Sequence, residues 1–194
     1  MIRSTAMSRN EEMLQKKKIT GTKTLVFAAM FLALGIVMPF LTGQIPGIGS
    51  RLLPMHIPVL ICGYVCGWKY GMIVGFVTPI LRSAMFGMPP MMPTASAMAF
   101  ELAAYGAVTG LLYDGICRRF CGTLAIYISL IGAMMAGRLV WGLVSIPLYG
   151  LVGNSFAMSM FLAGAFFNAV PGIILQIVLI PVIIMSLRHA NVME

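Results

Sequence analysis

The sequence is short of charge. Lys and Arg number 13 and Asp and Glu 5 in 194 residues, 9% of the chain, where a soluble globular domain carries roughly 25%. With 60% apolar residues and a mean hydropathy of +0.97, that deficit excludes a soluble enzyme. It excludes disorder as well, because disordered chains are poor in apolar residues. Histidine is scarcer still, with two, and three of the five acids, Glu11, Glu12 and Glu194, stand near the chain ends. There is no Gly-rich loop ending in Lys-Ser or Lys-Thr, no His-Glu-x-x-His and no Gly-x-Ser-x-Gly, so neither nucleotide hydrolysis nor intramembrane hydrolysis has a recognisable nucleophile, base or phosphate cradle. Any energy from ATP would come from another subunit, and the chain is not expected to be an enzyme. Four cysteines give no disulfide framework. The first residues are polar and basic, without the apolar stretch and small-residue cleavage site of a secretory leader, so no signal peptide is expected.

What is abundant is apolar sequence in long runs. A helix needs about twenty mostly apolar residues to cross a ~30 Å hydrocarbon core, and cutting the runs at Gly, Pro and charged residues gives six spans: 23–41, 54–68, 70–86, 94–114, 122–148 and 158–187. The 49 residues of 139–187 hold no Asp, Glu, Lys or Arg. As one helix they would extend roughly 73 Å, so a turn is required, and 148–154 is the place for it. The cut between the second and third spans is the tightest, since Gly67-Trp68-Lys69-Tyr70-Gly71 leaves room only for a close turn. Four or five spans are the alternatives there.

Lys and Arg collect on the cytoplasmic side of short loops. With the N-terminus inside, ten of the thirteen fall on the inner face, Arg51 and Arg82 fall outside, and Arg138 lies within a span. The predicted architecture is therefore an all-α membrane protein of six transmembrane helices, both termini cytoplasmic. It comprises a basic tail over 1–22, a helical domain over 23–188 and a short tail over 189–194. Most of the net charge of +8 belongs to the inner face and the tail, which reads as an anchor to anionic lipid rather than a nucleic-acid surface. The outer loops 42–51, 87–93 and 149–157 carry one charge between them, Arg51.

Ionisable groups inside a span are costly unless paired or facing a cavity, so each is a functional candidate. Glu101 and Arg138 stand out. At ~1.5 Å per residue they lie about 10 and 15 Å below the outer surface, and Asn168 on the last span falls at a similar depth. Three helices thus bring a carboxylate, a guanidinium and an amide to one layer. Helical spacing adds Tyr105 beside Glu101, and Trp141 and Ser145 beside Arg138. A pocket with aromatic walls and a few convergent polar groups has the character of a small-molecule site. Glu101 and Arg138 satisfy each other as a structural ion pair, touch a ligand, or do both, since a paired Arg retains N–H groups to donate. His56 begins the second span at the outer surface near Arg51, where a lone His is either solvated or in contact with a ligand.

Other patterns point less sharply. Met88, Met91 and Met92 carry thioethers of the kind that select Cu(I), but 18 methionines spread along the chain read as adaptable apolar filler. Cys62 with Cys66 and Cys117 with Cys121 repeat an i, i+4 spacing near the inner face, which would make a zinc site only if all four converged. No metal is expected. Ala29 and Ala33 lie one turn apart on the first span, a small-residue face that admits another helix closely, either within the bundle or from a partner.

The six-span plan, the Ala29-x-x-x-Ala33 motif, the stretch Ile57-Pro58-Val59-Leu60-Ile61-Cys62-Gly63 leading through Gly67 and Gly71 to Gly75, and the segment Phe100-Glu101-Leu102-Ala103-Ala104-Tyr105-Gly106 together resemble the substrate-binding S component of an energy-coupling factor (ECF) vitamin transporter, most closely the riboflavin and pantothenate types. The resemblance covers most of 23–188. It implies that the outer loops and outer halves of spans four to six enclose one water-soluble vitamin, and that Ala29 and Ala33 dock on a transmembrane coupling subunit driven by two ATPases. It also implies that the S component topples in the bilayer to deliver its cargo, without a cofactor of its own, in a bacterial cell membrane. Nearly uncharged outer loops fit that motion, because each charge omitted lowers the cost of bringing that end into lipid. The expected substrate contacts are Arg51, His56, Glu101, Tyr105, Arg138, Trp141 and Asn168, and Arg138 favours a vitamin with an anionic or carbonyl group. Pantothenate comes first, then riboflavin or a pyridoxine-like or pyrimidine-like ring. The alternative is an autonomous proton-coupled carrier that uses Glu101.

Overall fold

The computed structural model describes residues 21–43, 53–117, 122–151, 153 and 169–190. Among these residues there are six helices and no strand: α1 Gly21–Gly43, α2 His56–Cys66, α3 Trp68–Phe86, α4 Ser96–Cys117, α5 Thr123–Leu151 and α6 Val170–His189. A π-helical turn, Met91–Ala95, leads directly into α4. Helices α1, α5 and α6, together with α4 and its leading turn, are long and apolar enough to cross a membrane. The bundle is apolar outside as well as in its core. Leu25, Val26, Leu139, Leu143, Ile146, Ile174 and Val178 are exposed on its outside, an apolar surface that lipid, not water, accommodates. The buried set contains His56, Glu101, Arg138, Ser145 and Gln176.

The centre is α2. Of its eleven residues only Cys66 is not buried, as expected of a helix apolar on every side. At ~1.5 Å per residue it is about 16 Å long. The second span, expected over 54–68, is thus a short core helix, with α1, α3, α4 and α6 packed around it. Pro58 is tolerated because the N–H groups of a first helical turn have no intrahelical partner to lose.

Between α2 and α3 the turn takes a single residue. Gly67 has φ +82° and ψ 172°, a conformation that a side chain would strain. Its carbonyl accepts the Gly71 N–H at 3.0 Å. The chain doubles back there, so that Gly63 and Gly71, four residues either side, lie against each other. A Cβ on Gly71 would sit 2.9 Å from the Gly63 Cα and 2.7 Å from the Gly106 carbonyl oxygen, and a Cβ on Gly63 would meet the same oxygen at 2.7 Å. Three helices therefore close on one another at glycine, and α4 is drawn against α2 and α3 backbone to backbone.

Helix α1 joins through Ala28, Phe31 and Gly35, the last against Thr78 of α3. Ala29 and Ala33 face the other way and are exposed, so this small-residue face does not pack inside the bundle. Arg82, which the sequence leaves stranded near the outer end of α3, is covered by main chain and aromatics. Its Nη1 donates to the Ile36 carbonyl at 2.6 Å, and its guanidinium lies 4.5 Å from the centre of the Phe40 ring.

At the opposite end of the bundle, the Tyr64 hydroxyl bonds the Ile126 carbonyl at 2.9 Å and the Ser129 hydroxyl at 3.0 Å. Its ring meets Tyr113 edge to face. Arg188 Nε donates to the Tyr113 hydroxyl at 2.8 Å, and Arg188 also reaches Cys117 at 3.3 Å. Together these contacts fasten α2, α4, α5 and α6 at that end.

Candidate functional site

The polar layer is assembled from α2, α4 and α5. Glu101 stands on the buried face of α4 and is 2% exposed; Arg138 on α5 is 6% exposed. Arg138 Nη1 lies 2.9 Å from Glu101 Oε1, a close ion pair whose alignment falls short of a hydrogen bond. His56 Nε2 is 3.6 Å from the same oxygen, too far to count as a hydrogen bond. Tyr105, one turn along α4 from Glu101, packs its ring edge to face with His56, centroids 5.1 Å apart. On its other side is Gly137, where a Cβ would come within 2.6 Å of the Tyr105 ring. A glycine next to Arg138 is thus what lets the tyrosine lie flat in the layer.

The hydrogen-bonding account of this layer is incomplete. Arg138 Nε and Nη2 and both ring nitrogens of His56 are buried without a hydrogen-bond partner among the described residues, as are, at other levels of the bundle, the Ser145 hydroxyl and both polar atoms of the Gln176 amide. A buried donor left unpaired costs on the order of 1–3 kcal/mol, more if charged, and apolar surroundings make that worse. The mid-helix hydroxyls of Thr78 and Thr109, by contrast, bond carbonyls four residues back, so the unpaired groups of Arg138 and His56 mark a candidate binding site.

The expected layer is therefore partly visible. Glu101, Tyr105 and Arg138 come together, and Trp141 is half-buried one turn from Arg138 on the same helix. His56, expected at the outer surface, is 1% exposed and belongs to the layer, because α2 is enclosed by its neighbours from its first residue. Arg51 and Asn168 lie outside the described residues, as does Cys121. Cys62 is buried in α2 while Cys117 meets Arg188 at the end of α4. No group of three His, Cys, Asp or Glu among the described residues is placed to hold a metal ion. Two further buried, unpaired residues were not weighed as candidates from sequence alone. Gln176 is one, and its signal was available: it is the only polar side chain in α6 before Ser186. Ser145 is the other, noted there only for its helical spacing from Arg138.

Comparison with known proteins bears on what a membrane bundle with such a polar layer belongs to. No curated protein and no solved structure matches the chain significantly. A family model described as the ECF transporter substrate-specific component matches residues 23–184, a range running from the third residue of α1 into the last turns of α6 and so enclosing the whole polar layer. The chain is a multi-pass membrane protein that belongs to the family of ECF transporter substrate-specific components.

Proposed function

We propose that this chain captures a small water-soluble vitamin from the extracellular side and that the vitamin carries an anionic or carbonyl group held by Arg138. The observation that carries this reading is the guanidinium itself. One of its nitrogens faces Glu101 and two others are buried and unpaired, a fork suited to a carboxylate or to paired carbonyl oxygens. His56, Glu101, Tyr105 and Trp141 form the rest of the contact surface, with Arg51 and Asn168 contributing from the segments on either side. Pantothenate is the first candidate, followed by riboflavin and pyridoxine-like or pyrimidine-like rings.

In this reading the six helices are embedded in the bilayer, the short α2 as an enclosed core helix that does not span it alone, with both termini on the cytoplasmic side of a bacterial cell membrane. The chain does not itself hydrolyse ATP. The exposed Ala29 and Ala33 supply a face on which a transmembrane coupling subunit seats closely, and two ATPase subunits drive that coupling subunit. The loaded S component topples to deliver its cargo. Family membership supports a binding component over an autonomous proton-coupled carrier using Glu101.

Vesicles containing this chain alone separate the two readings. They are expected to retain radiolabelled vitamin at no more than one molecule per chain, and Arg138→Met is expected to abolish retention of an anionic one. Concentrative uptake by the chain alone contradicts the S-component reading, and undiminished retention by Arg138→Met removes Arg138 from the site.

A further inference from the structure

Gln176 is fully buried, and neither its amide oxygen nor its nitrogen has a hydrogen-bond partner among the described residues. It occupies the inward stripe of α6 formed by Gly172, Gln176, Ile180 and Ile184, the face packed on α2 and α5. Hydroxyls inside a helix have a local escape, the carbonyl four residues back, which Thr78, Thr109 and Ser129 all use. Gln176 makes no such bond.

Its height in the bundle follows from the register of α5 and α6. Thr123 at the start of α5 lies 4.0 Å from Met185 near the end of α6, so the two helices run antiparallel. Counting from that contact, Gln176 lies about six residues from the level of Arg138 toward the Arg188 end, on the order of 9 Å. Side chains lean toward the N-terminus of their own helix. On antiparallel helices Arg138 therefore leans toward the Arg188 end and Gln176 leans the opposite way, so along the bundle axis the two side chains lean toward each other. Each arrives with unpaired polar atoms. The guanidinium offers donors only, whereas the carboxamide offers a donor and an acceptor side by side.

We propose that Gln176 is a specificity-determining residue of the binding site, and that the substrate is a small anion also bearing an amide-type group, an amide, lactam or ureido, which pairs with the Gln176 side chain while its anionic group engages Arg138. This rests on the reading that Arg138 holds the substrate. Isothermal titration calorimetry of the full chain in detergent tests it with three probes. Pantothenate and biotin each carry a carboxylate together with an amide or ureido group, and nicotinate carries a carboxylate alone. At least one of the first two is expected to bind more tightly than nicotinate, and Gln176→Leu is expected to weaken it at least about tenfold. The ligand-free Tm should stay unchanged or rise in that variant, because an unpartnered amide leaves the core.

A change in Kd below twofold, as when Gln176 is served by a buried water, overturns the proposal. So does tight binding of nicotinate alone, or a lower ligand-free Tm with unchanged Kd, the mark of a structural role. Binding lost in Arg138→Met but kept in Gln176→Leu removes this proposal and leaves Arg138 in place. If none of the three probes binds, this proposal falls, while the Arg138 reading is decided separately by retention of riboflavin or a pyridoxine-like vitamin in the vesicle assay and its loss in Arg138→Met.

Discussion

At the scale of single residues, the decisive pair is Glu101 with Arg138. Removing one partner of a buried ion pair leaves an uncompensated charge and costs about 3–5 kcal/mol, whereas replacing both by apolar residues of similar volume is often neutral. Glu101→Leu is accordingly expected to lower thermal stability in detergent sharply, and the double variant Glu101→Leu with Arg138→Met to recover most of it without recovering ligand binding. A double variant no more stable than the single one would show that the pair does not set stability. The pair was legible in the sequence because an acid and an arginine inside apolar helices have few alternatives to each other. His56 was less so. Its string Pro54-Met55-His56-Ile57-Pro58 reads as an interfacial helix start, and only the enclosure of α2 by four neighbouring helices, a tertiary fact, buries it. Arg82 carries the same lesson, since no local pattern announces that the Ile36 carbonyl and the Phe40 ring will cover it.

At the scale of elements, helix positions were largely written in the punctuation of the sequence. The expected span 23–41 became Gly21–Gly43, 70–86 became Trp68–Phe86, and 122–148 became Thr123–Leu151. Each differs by two or three residues at an end, because hydrophobic runs mark where a helix is buried and not where its hydrogen bonds stop. The close turn expected over 67–71 is a one-residue reversal at Gly67. Less visible was how it works. Gly63, Gly71 and Gly106 let α2, α3 and α4 meet at backbone distance, and no periodicity predicts which glycines of different helices will face each other. That contact fixes α2, and so His56, relative to Glu101 and Tyr105. Gly106→Ala would drive a Cβ into the Gly71 carbonyl and should destabilise by about 1–3 kcal/mol. Gly115→Ala, on the same helix with open space around it, should be neutral or stabilising by up to ~1 kcal/mol. Thermal unfolding of the two variants checks this, and equal effects would show that the glycine junction is loosely packed.

At the scale of the whole molecule, the bundle sorts its surfaces by solvent. The outside is apolar and suited to lipid, the Arg188 end is tied by Tyr64, Tyr113 and Arg188, and the interior keeps unsatisfied donors around Arg138 and His56. In the proposed reading, loops poor in charge and the exposed Ala29–Ala33 face serve a body that moves against a partner in the membrane. In the proposed reading a guest molecule completes the polar layer. Mass spectrometry of the small molecule retained through gentle purification of the full chain is the most direct test. One molecule per chain, bearing an anionic or carbonyl group and missing from Arg138→Met purified in parallel, is the predicted result. A retained molecule without such a group, or one held equally by wild type and Arg138→Met, would contradict the account.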